Sequence, residues 1–569
     1  MPRNLTLLGG GTSRSRNRQR TRAARPQETS AVSTVVSGAV SQPLGQAGMV
    51  ALVFALVSGL ITHGYHLFDY PLYSTDEGIY LERAWSVVRE GRLSPQTYYY
   101  DHAPGGWILL AFWEFVLPKG FETFGNPINS GRVLMLILHV VNVYFLFQIA
   151  RKFSKGSLLA PSIACFFFNF SPLAVYYQRM VLLDNFMVFW FLLSLYMLLH
   201  KESQLFVGAW SGLAFGIAVV TKENALFFAP SMLYLLAWRA REDVNRRFAM
   251  MMWLFTSSAA IILYLLLSTL KGELLPTGFD FSLSHSPQGH VSLLYEMWYQ
   301  MHRTEGALFA KGSFLYVMWL PKDRYLLGAG AAAMLISLLI GWGERHRDPA
   351  MLVTGTLSLE IALYLARGSV LLDFYVIPLL PLFALNIGMV ADRMLKSLPQ
   401  PAARVISPAI CACVAAFLVL PSGGYLVKHG VHRNLQPADT YYVPETFMQN
   451  DQIAWIRAHI PPNDTIVSDD DIWVQLHDVK PIYPYDQSHW NAATDPQIRN
   501  NLFHANWRNI DYIVLSNGMQ HAMTINNGGG QEGYIITALN HSVKVWSVVH
   551  GEVSLSIYKV QNLSWGRVK

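Results

Sequence analysis

Apolar stretches of about twenty residues recur through most of this chain, and they limit its fold more than any other feature. A helix needs roughly 20 residues to cross the hydrocarbon core of a bilayer. Its backbone polar groups must then be satisfied within the segment itself. The candidate spans are 49–68, 131–150, 157–175, 181–199, 205–221, 224–238, 248–270, 326–343, 350–366, 372–391 and 404–422. Only 14% of the residues are charged, against about 25% in soluble domains. The pattern predicts a membrane all-α bundle of about 11 transmembrane helices.

The stretch 107–118 (WILLAFWEFVLP) is apolar but short and contains Glu114. It is expected to be an interfacial or re-entrant helix, and parity agrees. With the Arg-rich tail inside, the clusters Arg151/Lys152/Lys155, Arg239/Arg241/Arg246/Arg247, Arg345/Arg347 and Arg393/Lys396/Arg404 also fall inside, as positive-inside topology requires. Counting 107–118 as a full span would put most of these clusters outside. The expected organisation is therefore a disordered basic cytoplasmic tail at 1–48, a transmembrane domain at 49–422 and an extracytoplasmic α/β domain at 423–569. Two large outer loops, 69–130 and 271–325, interrupt the spans. The net charge of +6 (43 minus 37) is modest. Its basic residues sit in short loops, where they report orientation rather than nucleic-acid binding.

The tail, with Arg14, Arg16, Arg18, Arg20, Arg22 and Arg25 among Ser, Thr and Gly, does not read as a cleavable signal peptide. The three cysteines, Cys165, Cys411 and Cys413, all lie in apolar segments, with neither a disulfide framework nor zinc spacing. In the last piece, Asp451–His459 (DQIAWIRAH) has helical periodicity and Pro461-Pro462 ends it. Strand-like runs follow at Thr465–Val467, Tyr512–Leu515, Val543–Val549 and Val553–Tyr558.

Chemistry-bearing residues gather at the outer face. The first outer loop opens with Asp76-Glu77 a few residues after a span. A carboxylate there can take a proton from an acceptor hydroxyl or bind a cation or sugar hydroxyls; the plainer alternative is an acidic helix N-terminus. The loop continues Tyr98-Tyr-Tyr-Asp-His-Ala-Pro-Gly-Gly-Trp107, which adds Asp101, the switchable base His102 and aromatics. Those aromatics suit either sugar stacking or an interfacial belt. Asp184 lies three residues into a span, where ionisable groups are costly and mark sites. Lys222 and Glu223 sit between two spans at the same face. With Arg179, Lys222 could hold an anionic phosphate; alternatively it is a snorkelling loop lysine. Glu360, deep in a span, reads as a buried structural pair. Acids with one or two cations on one face fit transfer from a sugar phosphate.

At these residues the chain resembles the GT-C superfamily of polyprenyl-phosphate-sugar transferases, in the branch of protein O-mannosyltransferases and the lipid A aminoarabinose transferase. The resemblance rests on Asp76-Glu77 with Tyr80, Asp101-His-Ala-Pro104, Arg179 through Asp184-Asn185, Thr221-Lys222 and Phe374-Tyr-Val-Ile-Pro378-Leu-Leu-Pro381. It implies inverting transfer of a hexosyl or pentosyl group from a dolichyl- or undecaprenyl-phosphate sugar. It makes Asp76 the base, with Glu77 beside it, and places Tyr80, Asp101, His102, Arg179, Asp184 and Lys222 at the donor. The acceptor would be an extracytoplasmic lipid, protein or polysaccharide, at the plasma or inner membrane. Ile79 and His102 stand where the aminoarabinose branch has Arg and Lys, so the donor need not be aminoarabinose. A divalent cation could join the acids, although no spacing demands one. Two other readings are a transporter or flippase for a lipid-linked or carbohydrate substrate, and a membrane-anchored receptor. The first favours polar residues at midplane in paired halves, and the second leaves Asp184 and Lys222 without a role.

Overall fold

The computed structural model describes residues 44–200, 204–241, 244–281, 291–302, 307–368, 371–398, 444–516, 518–520, 533–550 and 553–561. The basic tail up to residue 43, the expected span 404–422 with Cys411 and Cys413, and residues 423–443 lie outside them.

Helices fill the other expected spans. They are α1 (Gln46–Gly64), α4 (Pro127–Phe153), α5 and α6 (Leu159–Phe170, Pro172–Tyr177), α7 (Leu183–Leu198), α8 (Gln204–Thr221), α9 (Ala229–Arg239), α10 (Val244–Leu270), α12 (Leu320–Glu344), α13 (Ala350–Leu365) and α14 (Leu379–Lys396). Among the described residues five helices are long and apolar enough to cross a membrane, and five shorter apolar helices accompany them. Phe54, Phe112, Phe255, Leu263 and Leu339 point outward, as side chains bathed in lipid would. Pro172, Pro230 and Pro381 start helices or sit in their first turns, where the missing N–H costs nothing.

Between α1 and α4 the segment expected to be the first outer loop folds into α2 (Thr75–Glu90) and the 12-residue α3 (Gly105–Val116). The latter is the short apolar stretch of the sequence, with Ile108, Phe112 and Phe115 exposed on its free side. Inside, Glu114 accepts from Ser130 Oγ at 2.9 Å. Helix α11 (Leu293–His302) lies within the expected loop 271–325. Glu360 has no cationic partner within salt-bridge distance in the described structure. It accepts from the Ser231 N–H (3.0 Å) and hydroxyl (2.8 Å), tying α13 to α9.

After α15 (Pro444–His459) comes a five-stranded sheet of order β2-β1-β3-β5-β4. Its strands are β1 (Ile466–Ser468), β2 (Asp486–Ser488), β3 (Tyr512–Leu515), β4 (Ser542–His550) and β5 (Val553–Val560). Pairs β1/β2 and β1/β3 are parallel, while β3/β5 and β4/β5 are antiparallel. Alternation sorts the core. Ile466, Tyr512 and Val514 face Ile453 and Ile456 of α15, whereas Val467, Ile513 and Leu515 face the other layer, as the two-residue period of a strand requires. The other helices of this part are α16 (Asp470–Asp478), α17 (His489–Thr494) and α18 (Gly533–Asn540). The strand-like runs of the sequence became β1, β3, β4 and β5; β2 and α16 were not among the elements expected from the sequence.

This α/β part does not stand apart, because 44–569 form one compact unit. Trp473 and Val474 of α16 join the same buried cluster as Tyr80, Leu81 and Ala84 of α2. Gly78 makes that contact feasible: a Cβ there would lie 2.2 Å from the Asp470 carbonyl carbon and 2.3 Å from the Asp471 nitrogen. Asp478 accepts from Trp85 Nε1 (3.1 Å) and Arg89 Nη2 (2.9 Å). Gln449 exchanges two hydrogen bonds with the Tyr73 backbone.

Candidate active site

The site is built around the start of α2. Ser74 precedes the helix and its N–H donates to Glu77 Oε2 at 3.2 Å, a capping interaction that fixes the first turn. Asp76 lies in that turn and is half-buried. A helix N-terminus favours a carboxylate, yet burial outweighs that and pushes the Asp76 carboxyl up to about 6. The Asp373 charge adds to the rise, Lys222 and His102 oppose it, and Asp184 adds a smaller upward push. That set of influences defines the site, because groups from four distant segments act on one carboxyl. Tyr80, one turn on, is buried, and burial followed by the charges of Asp76, Asp184 and Asp101 keeps its hydroxyl protonated.

Asp101 and His102 lead into α3. Arg83 Nη2 donates to Asp101 Oδ2 at 3.0 Å. Burial alone would raise the Asp101 carboxyl, but the charges of Arg83 and His102 and the Arg83 hydrogen bond hold it below the usual range. His102 Nδ1 is 3.8 Å from Glu223 Oε2, and Glu223 also accepts from the Ala103 N–H at 2.7 Å. The segment leading into α3 is thereby fastened to the end of α8. The approach is close enough that a Cβ on Gly105 would meet the Val220 carbonyl oxygen at 2.8 Å.

Asp184 opens α7 and Lys222 follows α8; both are buried and form an ion pair with each other. The Lys222 ammonium also faces the rings of Phe374 (4.8 Å) and Tyr375 (4.6 Å), so aromatic faces surround the cation. Asp373 begins the short helical turn Asp373–Val376 and accepts from the Tyr177 hydroxyl at 3.1 Å.

Two of the expected residues point elsewhere. Both oxygens of the Glu77 carboxylate are bonded to Arg132, Oε1 to Nε at 2.9 Å and Oε2 to Nη2 at 2.7 Å, and Oε1 also accepts from the Val181 N–H. Arg179 donates to the carbonyls of Thr62 (2.6 Å), His66 and Tyr70, which holds the end of α1 and the turn after it. The structure thus brings Asp76, Tyr80, Asp101, His102, Asp184 and Lys222 together, with Glu77 and Arg179 supporting the surrounding backbone. Sequence reasoning missed Asp373, Arg83 and Lys322. Asp373 directly precedes the Phe374-to-Pro381 run, and that adjacency was its signal. Lys322 lies 4.2 Å over the Tyr176 ring, where its charge acts on Asp373. Among the described residues no group of three or more His, Cys, Asp or Glu is arranged to hold a metal ion.

Residues 109–270 match the family model described as dolichyl-phosphate-mannose-protein mannosyltransferase. No curated protein sequence matches the chain. Among solved structures, ArnT from Cupriavidus metallidurans bound to undecaprenyl phosphate is 14% identical, with a TM-score of 0.55 over 92% of this chain and 99% of that one. The chain has the GT-C fold. The archaeal oligosaccharyltransferase AglB from Archaeoglobus fulgidus, in complex with an inhibitory peptide and a dolichol-phosphate, gives a TM-score of 0.55 at 12% identity, covering 91% of this chain and 74% of that one. The expected membrane bundle and small C-terminal sheet are both present among the described residues.

Proposed function

We propose that this chain is an integral membrane glycosyltransferase that moves a sugar from a polyprenyl-phosphate donor to an extracytoplasmic acceptor. The observation that carries the reading is the convergence of Asp373, Lys222, His102 and Asp184 on Asp76. The relatives support it, because ArnT was solved with undecaprenyl phosphate and AglB with dolichol-phosphate.

In this reading Asp76 takes the proton from the acceptor hydroxyl as that oxygen attacks the anomeric carbon, and the lipid phosphate departs with the bonding electrons. Attack opposite the leaving group inverts the anomeric centre. A carboxyl raised to about 6 is a stronger base than an ordinary aspartate and is still ionised at neutral pH. Lys222 and Lys322 supply positive charge to the departing phosphate. Asp184 and the rings of Phe374 and Tyr375 fix the direction of the Lys222 ammonium. Tyr80, Asp101 and His102 line the donor's sugar side, and Glu77 and Arg179 hold the backbone that carries them. The basic loops face the cytoplasm, so the site and the α/β part lie outside it.

The experiment is transfer from a radiolabelled polyprenyl-phosphate sugar by the purified protein in lipid. Asp76→Asn is expected to lower turnover by about 10²–10⁴ with the protein still folded. Undiminished transfer by that variant would remove Asp76 as the base.

A further inference from the structure

A second cleft lies on the opposite side of α2, where the first outer loop meets the α/β part. It has a volume of about 380 Å³ and is lined by Trp85, Glu90, Gln96, Trp473, His477 and Gln487, with Ile482 and Pro484 at its edge. Trp85 comes nine residues after Asp76, so at about 100° per residue the two project from opposite sides of the helix, roughly 14 Å apart along its axis. The cleft is therefore distinct from the site around Asp76.

Its walls combine aromatic surface with uncharged polar groups. Trp473 stacks on His477 at 3.7 Å, and Trp85 meets Trp473 edge-on at 5.5 Å. Burial pushes His477 down to about 4, so its ring is neutral at physiological pH. The Trp85 indole N–H is already bonded to Asp478. By contrast, Trp473 lines the cleft and its indole N–H is buried with no acceptor among the described residues. A buried donor without a partner costs about 1–3 kcal/mol, and a ligand hydroxyl entering the cleft would remove that penalty. The amides of Gln96 and Gln487 meet at 3.4 Å, a contact long enough to yield to a better partner. The nearby charges are already paired: Glu90 with Arg92 at 2.7 Å and Asp478 with Arg89 at 2.9 Å. An anion or cation would find only paired charges among the described residues, whereas a molecule with apolar faces and hydroxyl edges would find both of its complements.

We infer that this cleft is a carbohydrate subsite, separate from the transfer site, which takes a neutral pyranose against Trp473 and Trp85 with hydroxyls on the Trp473 N–H, Gln96 and Gln487. The assignment stands on the cleft's own chemistry and is measured without turnover.

The test is a titration of the full-length protein in lipid nanodiscs with mannotriose, maltotriose and cellotriose, followed by saturation-transfer NMR. At least one trisaccharide is expected to bind. Trp473→Phe, which keeps the ring but removes the donor, and Gln96→Ala, at the rim, should each weaken it about tenfold, the worth of one hydrogen bond. Asp76→Asn should bind the sugar as the unmodified protein does while losing transfer, which separates this inference from the catalytic one. The assignment is overturned if no trisaccharide binds, or if folded Gln96→Ala and Trp473→Phe proteins bind it unchanged. Should Trp473→Phe not fold, Gln96→Ala alone decides.

Discussion

Glu77 and Arg132 meet with both side chains fully buried, joined by two hydrogen bonds of 2.9 and 2.7 Å between the first turn of α2 and the start of α4. Arg132 also donates to the carbonyls of Pro71 (2.8 Å) and Leu72 (3.1 Å). The turn that presents Asp76 is therefore pinned through its neighbour. Removing one partner of such a pair leaves a bare buried charge, a loss of about 3–5 kcal/mol. Glu77→Gln and Arg132→Met should each lower the melting temperature in detergent and reduce folded yield. The double variant should recover part of the loss, because no lone charge remains. Equal losses in the single and double variants would show that the pair is not the cause.

The raised Asp76 carboxyl sets a pH dependence. As the proposed base it must be ionised, so transfer at low acceptor concentration should climb about tenfold per pH unit below about 6 and level off above. Stability moves the other way. Raised from 3.8 to about 6, the folded protein holds this proton more tightly than the unfolded chain. The Asp76 contribution is therefore full below about 3.8 and lost as pH rises through about 6. Rate profiles and thermal melts between pH 4 and 8 measure the two trends, and Asp76→Asn should flatten the stability slope assigned to this group.

In the proposed reading Lys222 has two tasks, and substitution separates them. Lys222→Met leaves Asp184 buried without its cation, so both folding and transfer should suffer. Asp184→Asn combined with Lys222→Met should restore thermal stability without restoring transfer, because no ammonium faces the leaving phosphate. Recovery of transfer in the double variant would rule out a role for Lys222 in catalysis. Turnover and melting curves on the same preparations provide the comparison.

Gly78→Ala tests how the α/β part is seated. The added Cβ would fall against the backbone of Asp470 and Asp471, which cannot swing aside as a side-chain end can. Overpacking of this kind costs about 1–3 kcal/mol or more. The expected result is faster proteolysis after residue 444, with the membrane helices still protected. Unaltered proteolysis would mean that the two parts separate freely at this contact.

The helices of the bundle were legible because hydrophobic length acts locally: each apolar stretch announces itself. The same holds for β1, β3, β4 and β5, whose short β-branched and aromatic runs need no partner to be seen. Asp184 and Lys222 stood out because charge is costly inside a span, and Asp76 because it opens an outer loop. What sequence could not decide was which of these charges face each other. Glu77 and Asp76 are adjacent in the chain and chemically alike, yet a helix turns about 100° per residue, so Glu77 falls on Arg132 while Asp76 falls among Asp373, Lys222 and His102. Arg179 read as a phosphate ligand, whereas its fork is engaged by the carbonyls of Thr62, His66 and Tyr70. The amino-acid sequence determined the apolar helices of a membrane bundle and marked Asp76, Asp101, Asp184 and Lys222 among the charges to follow. Only the tertiary structure decided their partners, because an ion pair forms between groups that packing brings together, however far apart they lie along the chain.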